Sequence, residues 1–186
     1  MNEALNLRLF ALIRSETPNW INHWVVIVAE YAIFLVPAFF LVMWLKESFW
    51  VRKNLIFACL SALVSLLINA LIAHYYYHPR PFVMGFSSLI THTPDSSFPS
   101  DHVSVIAAVA WAFWLKKYRP FDKLFMILAL AVGLSRVVAG VHFPMDVAGA
   151  VYTSLVATLL MSFVWLRFGT KITQSFNQLS IILLTR

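Results

Sequence analysis

Five long apolar runs limit what this chain can fold into more than any other feature. Each run is close to the roughly 20 helical residues that cross about 30 Å of hydrocarbon. The runs occupy residues 20–45, 55–75, 98–115, 124–141 and 147–166. A backbone in lipid has to satisfy its own hydrogen bonds, so runs of this length predict helices. We therefore expect an all-α, polytopic membrane helix bundle with about five transmembrane helices.

The residues before the first run predict a helix of another kind. Residues 1–14 carry three charged side chains, and their apolar residues include Leu5, Leu9, Leu12 and Ile13. Spacings of three and four residues place these residues on one face of a helix. The segment therefore predicts an amphipathic N-terminal helix at the membrane interface rather than a cleavable signal peptide.

The composition excludes an ordinary soluble domain. Charged residues make up 12% of the chain, well below the roughly 25% of soluble proteins. The single cysteine, Cys59, lies inside an apolar run and excludes both a disulfide framework and a cysteine metal site. The chain shows no internal repeat and no room for a second core, so residues 1–186 predict a single domain.

The net charge of +6 reflects orientation in the membrane. The connections between the runs alternate between two sides, and most basic residues fall on one of them. That side receives Lys46, Arg52, Lys53, Lys116, Lys117, Arg119, Lys123, Arg167, Lys171 and Arg186. Basic loops stay in the cytoplasm, so the amino terminus and the long loop at 78–99 face outward. This placement explains the charge without a nucleic-acid partner.

Three polar segments converge on the outward side. Residues 78–81, 98–102 and 135–146 lie at the outer ends of the second to fifth runs. Their main candidate residues are two arginines, two histidines, a serine and two aspartates, namely Arg80, Arg136, His102, His142, Ser100, Asp101 and Asp146, with His78 as a further possible pocket residue. Ionisable groups at membrane depth are costly and mark functional sites. Their convergence on one face predicts a site for phosphoryl chemistry on a lipid.

The cationic and hydroxyl side chains of this set suit phosphate binding. The guanidinium forks of Arg80 and Arg136 can each hold two phosphate oxygens. Ser100 lies where an apolar helix begins, so it can cap that helix, leave backbone N–H groups directed at an anion, or do both.

The histidines of the set suit nucleophilic and acid–base catalysis. His142 is a candidate nucleophile, with Asp146 fixing its tautomer. His102 can then protonate the leaving oxygen as a general acid and later activate water as a general base.

These residues resemble the three signature motifs of the type 2 phosphatidic acid phosphatase (PAP2) superfamily over about residues 73–150. The motifs read Arg80-Pro81, Pro99-Ser100-x-His102 and Ser135-Arg136-x5-His142-x3-Asp146. The resemblance implies a phosphohistidine at His142 with Asp146 as its partner, and His102 as acid and base. It also implies phosphate binding by both arginines and Ser100, with neither a metal nor another cofactor.

Two positions depart from the family's pattern. The first motif usually begins with a lysine seven residues before the arginine, and this chain has Ala73 there. His74 or His78 could supply part of the missing charge, or the site has one cation fewer. Asp101 replaces the usual glycine of the second motif, where it could keep His102 protonated or cap the helix.

Short chains that combine Pro-Ser-Asp-His with this third motif resemble bacitracin-resistance-type undecaprenyl-diphosphate phosphatases. The resemblance implies hydrolysis of a polyprenyl diphosphate, surrounded by membrane lipids, to the monophosphate and phosphate. It implies a bacterial cytoplasmic membrane with the site facing the periplasm or the outside. The physiological expectation is recycling of the lipid carrier of peptidoglycan synthesis, with lower bacitracin sensitivity on overproduction.

Two alternatives stay open. The same motifs fit a phosphatase of phosphatidate or phosphatidylglycerol phosphate, because the lipid tail takes no part in the chemistry. A small membrane transporter would use Glu30 and the arginines along a path, but it needs charges through the whole membrane depth.

Glu30 is either at the edge of the headgroup pocket or a protonated acid bonded to a neighbouring helix, with Asn69 as a candidate partner. The sequence does not specify an oligomeric state.

Overall fold

The computed structural model describes residues 3–46 and 48–184, with side chains through Phe176, and it is all-α. The α-helices are α1 (Glu3–Ser15), α2 (Asn22–Tyr31), α3 (Leu35–Lys46), α4 (Phe49–Tyr75), α5 (Asp101–Leu115), α6 (Phe121–Val138) and α7 (Pro144–Leu184). The predicted all-α class is confirmed. Arg186, assigned above to the basic side, lies outside the described residues.

The first apolar run forms two helices instead of one. A 3-10 turn at Ala32–Phe34 separates α2 from α3, and Pro37 lies in the first turn of α3. A proline has no N–H and its ring clashes with the carbonyl four residues earlier, here Ile33. The α-helical bonding therefore changes just before this proline, and α3 begins where the proline is tolerated.

Three segments of the described chain are long and apolar enough to cross a membrane: Asn19–Lys46, Phe49–Tyr75 and Pro144–Phe176. The other two predicted runs form shorter or more polar helices. The 15-residue α5 begins at Asp101, and α6 carries Asp122, Lys123 and Arg136 within its 18 residues. These two helices have their polar residues at the ends, which is where the predicted site residues lie.

The centre of the bundle is α5, which contacts α4, α6 and α7. Its buried residues include four alanines and Phe113. Ile106, Ala107, Val109 and Phe113 are fully buried in the main apolar cluster. An apolar helix with most of its residues buried fits the core of a bundle, and it fixes the position of the segment that precedes it.

A glycine turn joins α6 to α7. Gly140 has φ +80°, a conformation that favours glycine. Its N–H donates to the Val137 carbonyl at 3.0 Å, and the Val141 N–H donates to the Arg136 carbonyl at 3.2 Å. These two bonds form a Schellman motif, which ends α6 and turns the chain back sharply.

The N-terminal helix forms as expected, but it packs on a face other than the predicted leucine face. Phe10 is 1% exposed, whereas Leu12 is 56% exposed. The Phe10 ring lies edge-to-face against Phe86 and Phe143, with centroids 5.1 Å apart in both pairs. The aromatic contact of Phe10 decides which face of α1 packs on the bundle, because a phenylalanine ring buries more area than a leucine side chain.

The last helix is longer than the fifth apolar run. The run ends at residue 166, but α7 continues to Leu184 through the more polar tail. The more polar residues that follow the run are therefore helical as far as the structure describes them.

Candidate active site

A cavity of about 370 Å³ lies between the C-terminal ends of α4 and α6 and the N-terminal end of α5, beside the loop that follows α4. Its lining combines charged, polar and apolar side chains from Leu66, Asn69, Ala70, Ala73, Arg80, His92, Asp95, Ser96, Phe98, Pro99, Asp101, His102, Arg136 and His142. Five of the predicted site residues are among them. A cavity with convergent polar groups is a candidate binding site.

Arg80 is fixed beside His142 by protein acceptors. Arg80 is 5% exposed, and its Nε donates to Asp95 Oδ1 at 2.7 Å. Its Nη1 donates to the Val141 carbonyl at 3.0 Å and to His142 Nε2 at 3.2 Å. The guanidinium is therefore rigid and next to the candidate nucleophile before any substrate arrives.

Arg136 lies in the last turn of α6 and is 2% exposed. Its Nη1 donates to the Ala29 carbonyl of α2 at 3.0 Å. Its buried Nε has no hydrogen-bond partner in the described part of the chain. A buried donor of this kind is costly unless a ligand satisfies it, so the geometry suits an anionic oxygen. Glu30 follows Ala29 and is half-buried.

His142 is held with one nitrogen inward and the other toward the cavity. Its Nδ1 lies 2.9 Å from the Ser97 carbonyl oxygen and 3.5 Å from Asp146 Oδ2. The network assigns the proton to Nδ1, because a carbonyl accepts only a donor and Nε2 faces the Arg80 donor. Nε2 therefore keeps its lone pair.

The His142 side chain is uncharged at neutral pH. Burial lowers the pKa of His142 to about 4. The hydrogen bond that the imidazole makes to Asp146 opposes this shift without cancelling it. A neutral imidazole is the nucleophilic form. Burial, hydrogen bonding and tautomer thus agree with the role that the motif implies for this residue.

Asp146, in the first turn of α7, is fully buried behind His142. Its Oδ2 accepts the Phe143 N–H at 2.7 Å, the reciprocal half of a capping box. Its Oδ1 lies 3.4 Å from His78 Nδ1 and has no hydrogen bond of good geometry among the described groups. His78 also lies 2.8 Å from Ser97 Oγ. His78 thus contacts the carboxylate from behind instead of lining the cavity.

Ser100 occupies the N-cap position of α5, but its hydroxyl does not cap the helix. The Ser100 Oγ is buried and has no hydrogen-bond partner within the described residues. Its backbone N–H donates to the Asp146 carbonyl at 3.3 Å. The expected side-chain capping is therefore wrong, and Ser100 itself is not among the residues that line the cavity, whereas His102 is partly buried in the cavity wall.

Asp101 and Asn69 form a polar contact between α4 and α5. Asn69 Nδ2 donates to Asp101 Oδ1 at 2.9 Å and to Ser104 Oγ at 2.8 Å. Thr153 of α7 donates to Asn69 Oδ1 at 3.1 Å. The suggested pairing of Asn69 with Glu30 is therefore wrong. Asp101 joins two helices at the cavity edge, which neither of its predicted roles anticipated.

Two cavity residues, His92 and Asp95, were not singled out as site residues. Burial acts to raise the pKa of Asp95, but the Arg80 hydrogen bond and charge outweigh it and lower that pKa. Burial and the charge of Arg80 lower the pKa of His92. Neither residue belongs to a motif, and Pro94-Asp95 reads as an ordinary turn. Neither of the two histidines suggested for the missing lysine charge lines the cavity: His74 is exposed and His78 is buried outside the lining, whereas His92 is part of the wall.

Comparison with known proteins agrees with the site. A sequence profile described as the PAP2 superfamily matches residues 54–169. The chain is 34% identical over 180 residues to the putative undecaprenyl-diphosphatase YbjG of Escherichia coli, covering 94% of this chain and 89% of that protein. It is 37% identical over 145 residues to the undecaprenyl-diphosphatase BcrC of Bacillus subtilis, covering 77% and 72%.

The fold is also that of a solved membrane enzyme. The structure of a transmembrane PAP2 type phosphatidylglycerolphosphate phosphatase from Bacillus subtilis superposes with a TM-score of 0.64 at 20% identity, covering 88% of this chain and 87% of that one. At this identity the likeness concerns the fold. Together with the apolar helices, it shows a membrane protein. With its profile match over most of the chain and a relative that it covers almost end to end, the chain belongs to the PAP2 superfamily.

Proposed function

We propose that this protein is an integral membrane phosphatase that hydrolyses undecaprenyl diphosphate to undecaprenyl monophosphate and inorganic phosphate. The observation that carries the proposal is the neutral, buried His142, whose Nε2 faces a cavity walled by Arg80 and Arg136. The relatives named undecaprenyl-diphosphatase support the choice of substrate, because they cover most of the chain.

The first step transfers the terminal phosphoryl group to the enzyme. The Nε2 lone pair of His142 attacks the terminal phosphorus, and the bond from that phosphorus to the bridging oxygen breaks. The bridging oxygen keeps the bonding electrons and leaves as part of the lipid monophosphate, with a proton from His102. The arginines stabilise the charge on the transferring oxygens.

The second step regenerates the enzyme. His102, now deprotonated, takes a proton from water, whose oxygen attacks the phosphorus of the phosphohistidine. The N–P bond breaks, its electrons return to Nε2, and inorganic phosphate leaves. Asp146 stabilises the imidazolium that forms while Nε2 carries the phosphoryl group, in the manner of the aspartate of a catalytic triad. Ser100 Oγ and the Arg136 Nε supply donors without competing protein acceptors.

The proposal includes a membrane arrangement. We place all five apolar segments across a bacterial cytoplasmic membrane, with α1 at its outer interface and the chain as one domain. The basic loop between α5 and α6 then faces the cytoplasm, and the cavity faces the periplasm or the outside. In this arrangement the polyprenyl tail of the substrate stays at the depth of the lipid chains, and the diphosphate of the substrate contacts the arginines.

Phosphate release by purified protein in detergent with EDTA tests the proposal. Wild type is expected to release phosphate from undecaprenyl diphosphate, and His142→Ala is expected to release none. Lys123→Gln, at the opposite end of the bundle, is the matched control and should keep wild-type activity. Wild type that cleaves phosphatidate or phosphatidylglycerol phosphate but not undecaprenyl diphosphate would contradict the substrate. Activity that survives in His142→Ala would contradict the mechanism.

A further inference from the structure

We propose that the polyprenyl tail binds in an apolar groove that runs from the catalytic cavity along α4 toward the cytoplasmic end of the bundle. This inference rests on the proposed function and specifies how the substrate is chosen. The groove, called the tail groove below, has walls from α3, α4 and α5. Its upper stretch of about 210 Å³ includes Pro37, Ala62, Leu66 and Val105.

The tail groove is continuous with the catalytic cavity. Leu66 lines both the cavity and the upper stretch of the groove. Phe40, Cys59 and Leu63 line both the upper stretch and a lower stretch of about 350 Å³ that reaches Ile56. Shared wall residues at both junctions make one path from the arginines to the far end of the bundle.

The geometry of α4 gives the path its length. Ala73, Leu66, Cys59 and Ile56 are separated by seven, seven and three residues, so they lie on one helix face. The 17 residues from Ala73 to Ile56 rise about 26 Å along the helix. This is close to the roughly 30 Å of hydrocarbon in a bilayer. A chain that enters at the cavity can therefore follow the groove through most of the membrane.

The lining suits one hydrocarbon chain. Every side chain along both stretches is apolar. Surrounding lipid is equally apolar, so burial alone gives no preference, and the preference has to come from close packing and shape. The tail groove leads away from the cavity along α4 as one path, which matches one polyprenyl chain better than the two chains of a diacyl lipid.

A second apolar hollow in the bundle provides an internal comparison. It has about 420 Å³ and lies between α3 and α6, with Ala38, Val42 and Leu128 among its lining residues. It shares no lining residue with the catalytic cavity or with the tail groove in the described chain. Lipid can fill this hollow without coming near the arginines, so a bulky substitution there serves as a control.

Chain-length dependence of obstructed variants tests the proposal. Cys59→Trp and Leu63→Trp place an indole in the tail groove, at exposed positions that tolerate a large side chain. Each variant is assayed with undecaprenyl diphosphate and with geranyl diphosphate, whose short tail ends above Cys59. We expect kcat/KM for undecaprenyl diphosphate to fall by about tenfold or more, which corresponds to a tenfold weaker interaction with that substrate. We expect kcat/KM for geranyl diphosphate to change little. Val42→Trp should behave as wild type with both.

The outcomes separate the groove from the proposed function. Equal rates on undecaprenyl diphosphate for wild type and both tryptophan variants would overturn the tail groove and leave the phosphatase assignment intact. Equal losses on both chain lengths would also overturn it. Wild type that hydrolyses neither diphosphate would overturn the function and this inference together.

A measurement on unmodified protein guards against poorly folded variants. A polyprenyl diphosphate with a photoreactive diazirine in its tail is crosslinked to wild type, and the labelled peptides are identified by mass spectrometry. Labels on α4 near Cys59 and Leu63 are expected. Labels confined to the hollow between α3 and α6 would overturn the proposal.

Discussion

The His142 imidazole is constrained at both nitrogens. Nδ1 lies 2.9 Å from the Ser97 carbonyl oxygen, and Nε2 lies 3.2 Å from Arg80 Nη1. The ring cannot rotate or change tautomer without losing one of these bonds. A nucleophile oriented in this way needs little reorganisation to reach the transition state. The orientation and the tautomer of the ring are therefore decided by residues 97 and 80, which lie far from the histidine in sequence.

His78→Phe is expected to slow the reaction without weakening substrate binding. His78 Nδ1 lies 3.4 Å from Asp146 Oδ1 and outside the cavity lining. A phenyl ring in its place would remove the polar nitrogen that contacts this buried carboxylate oxygen, so Asp146 would orient His142 poorly. Steady-state kinetics should show kcat lower by about 10–100-fold, the range for lost outer-shell partners, with KM near wild type.

Two further variants separate positioning from general stability. His78→Asn keeps a donor nitrogen near the place of Nδ1 and should restore part of kcat. His74→Phe changes an exposed histidine four residues earlier and should leave kcat unchanged. A KM that rises together with the loss of kcat, or no rescue by asparagine, would show that His78 acts in another way.

Among the elements, the turn between α6 and α7 has the tightest backbone requirement. It places Arg136 at the end of one helix, Asp146 at the start of the next, and His142 between them. A side chain on Gly140 would collide with the Ser87 carbonyl oxygen and with the Arg14 guanidinium. The turn is therefore closed by a third segment, the loop at residue 87, which packs directly on it.

Gly140→Ala is expected to lower stability by more than backbone strain alone. A non-glycine residue at positive φ costs about 1–3 kcal/mol, and the collision adds to this. Gly85→Ala is the matched control, because Gly85 also has positive φ, +92°, but open space around its Cβ position. Thermal unfolding in detergent should show a larger fall in Tm for Gly140→Ala. Equal shifts for both variants would mean that the collision is relieved at no cost.

Helix α1 braces the segment that carries His142. Phe10 packs on Phe143, and Asn6 Oδ1 accepts the Met145 N–H at 3.1 Å. Arg14 Nη1 donates to the Ser87 carbonyl at 2.6 Å, which joins the same helix to the long loop. The short helix that we expected to lie only on the membrane surface thus also contacts the site from behind.

Phe10→Ala is expected to lower both stability and kcat. Removing a buried phenylalanine costs about 3–5 kcal/mol, and it frees Phe143 next to the nucleophile. Leu12→Ala, on the exposed face of α1, should cost little. The comparison uses Tm and phosphate release on the same preparations. A Phe10→Ala protein with the stability and activity of wild type would show that α1 does not support the site.

For the whole molecule, the distribution of basic residues predicts the orientation in the membrane, and thiol labelling can measure it. In a Cys59→Ala background, a cysteine at Thr93 should react with a membrane-impermeant thiol reagent in intact cells. A cysteine at Lys123 should react only after the membrane is opened, because basic loops are retained in the cytoplasm. Both positions are exposed, so accessibility reports the side of the membrane. The reverse pattern would place the cavity in the cytoplasm.

Much of the architecture could be predicted from the chain. The apolar runs predict helices because each run must satisfy its backbone within itself, and His102 of α5, Arg136 of α6 and His142 of the following turn do line one cavity. Local features that compete with apolar spacing were harder to predict. Pro37 divides the first run, and Phe10 overrides the leucine face of α1. His92 and Asp95 were missed because a long loop places them by contacts with distant residues.

The sequence by itself determined the helical class, the gathering of the motif residues at one end of the helices, and the residue types of the Arg136–Asp146 segment. These properties depend on run length, charge placement and short spacings, which act locally along the chain. Tertiary structure alone decided that Arg80 faces His142, that Asn69 meets Asp101, and that an apolar groove leads away from the cavity. Such contacts join segments far apart in sequence, so they exist only once the helices have packed.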